Sequence, residues 1–299
     1  TLAQPKAFFK TCMTQTIRMN KTNMSFQRAR RPIGEHRSIE WVRTRYHRPQ
    51  GLVFIPPLIG GDLCQQISDF RWLIKQHYDL VSFNYSGHGK STNLFSIGAS
   101  LRDTQHMLSY TGSAATREAV PLFGIASCYG AIPLLYAVHR LKQSLAGIVL
   151  INAVPGFFPE ILLTSFLSHY RQVFAGQNAF TTFPTALKQY ADRLFPGIAK
   201  GKDHFGTLKR RRAALAKIIF EFLTLEPLKG IRVENIPVLC LHAQKDSILN
   251  IYHNYRQNIR AVCPQARFHC LKADHFLSHA KVRREATQLI SNFLGFAQK

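Results

Sequence analysis

Short apolar runs recur along the sequence, and most are followed by a stretch whose apolar residues have helical spacing. The runs are LVFIPP (52–57), DLVSFN (79–84), VPLFGIA (120–126), LAGIVLINA (145–153), IPVLCLHA (236–243) and ARFHCLKA (266–273). Continuous apolar runs of this length are typical of strands that are buried on both faces. Their alternation with helical segments predicts βαβ units, and hence an α/β fold with a mostly parallel central sheet and helices on both faces.

The alternation stops over residues 155–230, which contain apolar and aromatic helical segments but no convincing buried strand. Because the last two predicted strands need neighbours to pair with, we interpret this region as a helical cap inserted into one domain. The predicted organisation is a basic N-terminal segment over residues 1–36, a core over residues 37–154 and 231–299, and the cap over residues 155–230.

The chain is strongly basic, since 39 Lys and Arg against 16 Asp and Glu result in a formal net charge of +23. Such an excess attracts anionic partners and raises their association rates. Coenzyme A, acidic carrier proteins and an anionic membrane surface fit this charge, and a plain solvated basic surface fits it equally well. Nucleic acid is not favoured, because the basic residues are dispersed and no nucleic-acid-binding motif accompanies them.

The six cysteines are scattered, without a CxxC pair or zinc-type spacing, which indicates a reducing compartment and predicts neither a metal nor a cofactor. No apolar run reaches the roughly 18 residues that a membrane-spanning helix needs. We therefore expect a cytoplasmic protein, soluble or peripheral to a membrane. The composition of residues 1–36 also suits an organelle-targeting peptide, although we favour an ordinary basic lead-in.

The segment LFGIASCYGA (122–131) joins a predicted strand to a predicted helix and contains two adjacent candidate nucleophiles, Ser127 and Cys128. A nucleophile elbow is a sharp turn whose positions two before and two after the nucleophile have to be small. Around Ser127 both positions are bulky, whereas around Cys128 they are Ala126 and Gly130. The pattern favours Cys128 at the start of a helix, where the dipole favours a thiolate. The alternative is a small buried cysteine at a strand end.

Two more side chains follow predicted strands directly. Asp246 lies in QKDSIL after one strand, and His275 lies in DHF after the next. In an open parallel sheet, active sites form at the carboxyl ends of the strands, so we expect both residues at the same edge as Cys128. Their chain order is nucleophile, acid and histidine.

From about residue 38 to its end, the chain resembles the α/β-hydrolases. Five segments carry the resemblance in the order of that family: LVFIPPLIGG, DLVSFNYSGHGKS, GIASCYGA, IPVLCLHAQKDSIL and LKADHFL. The resemblance implies a triad of Cys128, His275 and Asp246. Most members have serine as the nucleophile, and a cysteine is similar to the triads of the dienelactone hydrolases and the polyhydroxyalkanoate synthases.

The resemblance also implies an oxyanion hole made of two backbone N–H groups. One belongs to Tyr129, which follows the nucleophile. The other belongs to Leu58, which follows Pro56 and Pro57 where many members have His-Gly.

These residues predict an enzyme in which His275 takes the thiol proton, Asp246 orients the imidazole and Cys128 attacks an acyl carbonyl. Since exchange between thioesters is nearly balanced, we expect an acyltransferase or thioesterase that acts on acyl-coenzyme A or acyl carrier protein. An ester or lactone hydrolase with the same triad is one alternative. A catalytically silent protein that binds a hydrophobic ligand or an anionic partner is another.

Overall fold

Nine strands of the described chain form one sheet. The computed structural model describes residues 17–18, 24–34, 37–58, 63–156, 182, 185, 216–218, 220–246, 255–275, 277 and 279–297. The strands are β1 (Ile17–Arg18), β2 (Met24–Gly34), β3 (Arg37–Tyr46), β4 (Gly51–Ile55), β5 (Tyr78–Phe83), β6 (Leu122–Ser127), β7 (Gly147–Ile151), β8 (Val238–Ala243) and β9 (Arg267–Leu271). Their order across the sheet is β1-β2-β3-β5-β4-β6-β7-β8-β9. Strands β4 to β9 are parallel, whereas β1, β2 and β3 pair antiparallel. The predicted fold class is confirmed.

Helices cover both faces of the sheet and create two core layers. They are α1 (Leu63–Asp69), α2 (Arg71–Ile74), α3 (Ile97–Arg117), α4 (Ala131–Leu141), α5 (Tyr255–Val262) and α6 (Ala280–Phe296). Along β8, Val238 and Cys240 point into the layer with α3, α4 and α5, while Leu239 and Leu241 point into the layer with α1, α2 and α6. Burial on both faces explains why the strands are continuous apolar runs. Among the described helices, none is long and apolar enough to cross a bilayer.

The sheet includes β2, which lies within the predicted basic N-terminal segment. Strand β2 pairs along its length with β3, for example Arg31 opposite Ile39, so the boundary at residue 37 falls inside an antiparallel pair of strands. For residues 24–34 the assignment to a segment outside the core is therefore corrected. Residues 1–16 lie outside the described chain.

Two of the three arginines of β2 have partners in the fold, which the sequence alone does not reveal. Arg28 donates from Nε and Nη2 to Glu40 Oε1 at 2.9 and 2.6 Å. Arg31 places its guanidinium 4.1 Å from the ring centre of Tyr110, in cation–π contact. In the sequence, these arginines resemble a solvated surface. In the structure, Arg28 pairs with Glu40 and Arg31 packs on the ring of Tyr110.

Most of the predicted helical cap lies outside the described residues, namely residues 157–181, 183–184 and 186–215. The predicted helices stay predictions there. The end of the cap is described, and residues 216–218 and 220–224 are helical. There the Glu221 carboxylate accepts hydrogen bonds from the N–H groups of Ile97 at 2.6 Å and Gly98 at 3.4 Å. Because an acidic group at a helix N-terminus is electrostatically favourable, this contact fastens the end of the cap to α3.

A buried ion pair joins the antiparallel and parallel parts of the sheet. Arg43 on β3 donates to Asp79 Oδ2 on β5 from Nε at 2.9 Å and from Nη2 at 2.6 Å. The Arg43 guanidinium also donates to Glu118 at 2.7 Å, and Tyr46 N–H donates to Asp79 Oδ1 at 2.8 Å. Asp79 is fully buried, so its charge depends on these donors.

We expect Arg43→Met to lower the free energy of unfolding by about 3–5 kcal/mol, because it leaves the buried Asp79 carboxylate without its cation. The matched control is Arg45→Met. Arg45 is 46% exposed and lies 3.5 Å from Glu118. Its loss is expected to cost at most about 1 kcal/mol. Urea unfolding measures both variants, and equal losses would contradict the role of Arg43.

Candidate active site

The chain turns sharply between β6 and α4 at Cys128. Ser127 is still extended, with a φ of −113°. Cys128 has a φ of +48°, in the left-handed region that residues with a side chain rarely adopt. A 3-10 turn over Cys128–Gly130 then leads into α4. The strained position is therefore the one that the spacing of small residues predicts, and the thiol is half-buried.

Gly130 lies where a side chain does not fit. A Cβ at this position would be 3.1 Å from the carbonyl oxygens of both Pro56 and Pro57, which follow β4. Tyr85 donates from its hydroxyl to the Pro57 carbonyl at 3.0 Å and holds this loop from the other side. The turn at Cys128 is thus in direct contact with the loop that leads to Leu58.

His275 and Asp246 meet at the same edge of the sheet. Asp246 follows β8 and its side chain is fully buried, while the His275 side chain follows β9 and is 8% exposed. His275 Nδ1 lies 2.7 Å from Asp246 Oδ2. The Cys128 thiol lies near enough to the His275 ring to raise its pKa. The structure therefore brings together the three side chains that the sequence analysis singled out.

The environment of His275 favours the imidazolium. Burial lowers its pKa, but the hydrogen bonds to Asp246 and Cys128, and the negative charges of both, outweigh burial and raise the pKa to about 10. Ordinary histidines titrate near 6.5. A proton on His275 is consequently favoured at neutral pH.

The two backbone positions implied for an oxyanion hole belong to segments that adjoin the nucleophile turn. Leu58 is half-buried and follows Pro57, whose carbonyl oxygen packs against Gly130. Tyr129 follows Cys128 directly, and its ring is buried against Tyr85 with centres 6.2 Å apart. Its hydroxyl lies 2.5 Å from Ser100 Oγ on α3. This side chain therefore anchors the turn while its backbone stays at the site.

Three residues that support the site were not among the residues predicted from the sequence. Tyr85 and Ser100 brace the two loops, and Asn152 contacts the loop of His275. Asn152 follows the apolar run of β7 immediately, as Asp246 and His275 follow theirs closely. Its place after a strand was a signal that could have identified it.

Two other histidines, His88 and His242, pack against aromatic rings. His88 packs edge-on against Phe95, with ring centres 5.0 Å apart, in line with a structural role. His242 stacks on Tyr255 at 4.5 Å, and burial lowers its pKa. Among the described residues, no group of three His, Cys, Asp or Glu side chains is arranged to hold a metal ion.

Most phenylalanines of the predicted cap, which could line a pocket for an acyl chain, lie outside the described residues. Of the two that are described, Phe222 is half-buried and packs on the core, whereas Phe220 is 65% exposed. Phe220 therefore does not line a closed pocket in this structure. The basic run over residues 208–212 also lies outside the described chain.

The architecture is that of the α/β-hydrolase fold. Solved structures with this architecture include an esterase from Pyrococcus furiosus, with a TM-score of 0.63 and 13% identity over 95% of each chain. A carboxyl esterase from Bacillus coagulans has a TM-score of 0.60 and 13% identity, covering 92% of this chain and 99% of its own. An enol-lactonase from Burkholderia xenovorans has a TM-score of 0.56 and 16% identity, covering 87% and 97%. At these identities the likeness is one of fold.

No protein-family model matches the sequence, and no curated protein sequence matches it.

We expect Gly130→Ala to lower the free energy of unfolding by about 1–3 kcal/mol and to slow reactions of Cys128, because the added methyl displaces the Pro56–Pro57 loop. Gly295→Ala on α6 is the matched control, since nothing lies within 4 Å of the added carbon. That variant is expected to be neutral or slightly stabilising. Thermal unfolding and the rate of Cys128 alkylation measure both, and an undisturbed Gly130→Ala protein would contradict the contact.

The Cys128→Ala variant is expected to lower the pKa of His275 from about 10, because one hydrogen bond and one negative charge disappear. In the wild type, the stabilisation from the protonated ring is present in full below about pH 6.5 and is lost as the pH rises through about 10. In the variant this stabilisation is smaller, and its loss is complete at a lower pH. An NMR titration of the His275 ring measures the change, and an unchanged midpoint would exclude coupling to the thiol.

Proposed function

We propose that this protein is an α/β-hydrolase-fold enzyme that transfers or hydrolyses acyl groups of thioesters through Cys128, His275 and Asp246. One observation carries the proposal: Cys128 occupies a left-handed turn beside His275, a buried histidine that is paired with Asp246 at 2.7 Å and whose pKa is raised to about 10. An imidazolium beside a cysteine supports a thiolate, which is the reactive form of the nucleophile.

In the proposed first step, the Cys128 thiolate attacks the carbonyl carbon of the thioester. The negative charge that develops on the oxygen is stabilised by the backbone N–H groups of Leu58 and Tyr129. His275 transfers its proton to the departing thiol, and Asp246 keeps the ring oriented through Nδ1. The products are a free thiol and an acyl-thioenzyme on Cys128.

In the second step, the acceptor is water for a thioesterase, or an alcohol, amine or thiol for an acyltransferase. His275, now neutral, removes the proton of the acceptor as it attacks the acyl-thioenzyme. The acyl group leaves on the acceptor, and the Cys128 thiolate and the His275 imidazolium are restored.

Two features favour a thioester substrate. Exchange of an acyl group between two sulfur atoms changes the bond energy little, so a cysteine suits it. The net charge of +23 attracts the phosphates of coenzyme A and the acidic surface of a carrier protein. An anionic membrane surface is attracted by the same charge and is our second proposed partner.

The alternative is an ester or lactone hydrolase with the same triad. It is supported by the fold, which this chain shares with carboxyl esterases and an enol-lactonase. The two proposals differ in the leaving group, since a thioester releases a thiol and an ester releases an alcohol.

A panel of acyl-coenzyme A and acyl carrier protein thioesters, followed by intact-protein mass spectrometry, tests the proposal. The wild type is expected to gain the mass of one acyl group, or to turn the thioester over, and Cys128→Ala is expected to do neither. Cys270→Ala is the matched control, because Cys270 is another half-buried cysteine. It should react like the wild type, and a wild type without adduct or turnover would contradict the proposal.

The Cys128→Ser variant separates the two substrate classes. A neutral hydroxyl is a weaker partner for the imidazolium, so we expect acyl transfer from thioesters to fall by about 100-fold or more. If the variant still hydrolyses p-nitrophenyl esters, the thiol is required for acyl transfer from thioesters and not for ester hydrolysis. Equal activity of both proteins on thioesters would contradict that selection.

A further inference from the structure

Asn152 lies at the carboxyl end of β7 in a conformation that few residues adopt. Its φ is +45°, and it is 1% exposed. Asparagine tolerates the left-handed region better than most residues because its short side chain can make local hydrogen bonds. Here the side chain instead bonds to two other segments of the chain.

Each polar group of the Asn152 side chain has a backbone partner. Nδ2 donates to the carbonyl oxygen of His275 at 2.7 Å, and Oδ1 accepts from the N–H of Ala243 at 2.8 Å. The backbone N–H of Asn152 donates to Leu241 at 2.9 Å. Since a carbonyl only accepts and an N–H only donates, these partners determine which way the amide points.

The position of β7 in the sheet makes this bridge relevant to the site. Ile151, the residue before Asn152, is paired with Ser127 on one side and with Leu241 on the other. Two residues after Asn152, Val154 donates its N–H to the carbonyl oxygen of Cys128 at 3.2 Å. The segment 152–154 therefore contacts the nucleophile turn, the histidine loop and the strand that leads to the acid.

From this juxtaposition we infer that Asn152 is a positioning residue: its amide ties the backbone of His275 to the end of β8 and so holds the imidazole against Cys128. The inference rests on the proposed function in taking the Cys128–His275 pair as the reactive pair. It adds a fourth residue, one that acts through His275 and touches no reacting atom.

Two substitutions distinguish the hydrogen bonds of the Asn152 side chain from the volume that it fills. Asn152→Asp keeps the size of the side chain and the acceptor for Ala243, but places a carboxylate oxygen against the His275 carbonyl instead of a donor. Asn152→Gly removes the bridge and suits the backbone, because glycine adopts a φ of +45° without strain. Ser82→Ala is the matched control, since it deletes another buried hydrogen bond, to the Ile55 carbonyl at 2.8 Å.

The readout is the rate of Cys128 carboxamidomethylation by iodoacetamide as a function of pH, followed on the Cys128 peptide of the full chain by mass spectrometry. A His275→Ala protein defines the profile of a thiol without its histidine. We expect both Asn152 variants to react at least ten-fold more slowly than the wild type at pH 7. Their pH profiles should shift toward that of His275→Ala, while Ser82→Ala keeps the wild-type profile.

Wild-type profiles in both Asn152 variants would overturn the inference. So would loss of folding, by circular dichroism, in both of them under conditions where Ser82→Ala folds, because that marks a purely structural residue. Alkylation requires no acyl substrate, so the outcome is distinguishable from that of the thioester panel. A shifted profile without thioester turnover would retain the role of Asn152 and reject the proposed reaction.

Discussion

The backbone of Cys128 is held at a φ of +48°, a conformation that costs a residue with a side chain about 1–3 kcal/mol. Packing on both sides maintains it. Ala126 is fully buried in the sheet, and Gly130 lies against the carbonyl oxygens of Pro56 and Pro57, where a larger residue would push the loop away. The strained turn and the loop beside it therefore form one unit.

The site also depends on the electrostatic pairing of Asp246 with His275. Asp246 is fully buried, and its oxygen lies 2.7 Å from His275 Nδ1, so the ring has an anion on one side and the thiol on the other. Burial alone would lower the pKa of His275, yet the two partners raise it to about 10. The pair depends on backbone placement, because Asp246 and His275 lie on loops that follow different strands. The Asn152 amide connects the His275 loop to the end of β8, where the Asp246 loop begins.

Much of the fold was predictable because strands buried on both faces have to be continuous apolar runs. The runs near residues 52, 80, 122, 148, 238 and 267 all lie in strands of the sheet. Helix α3 runs from Ile97 to Arg117, and its buried positions include Ser100, Asp103 and Thr111, which hide the helical pattern in the sequence. Strand β2 was missed for a related reason. Arg28 and Arg31 are satisfied by Glu40 and Tyr110, which no local pattern reveals.

The sequence by itself determined which positions could form the site, because small residues around Cys128 and polar residues soon after strands are local features. It also determined that these positions share one edge, since parallel strands end together. Only the tertiary structure decided that His275 contacts both Cys128 and Asp246, that Gly130 touches the Pro56–Pro57 loop and that Asn152 links the strands. Those contacts join residues far apart in the chain, and their distances follow from packing, which spacing along the sequence does not contain.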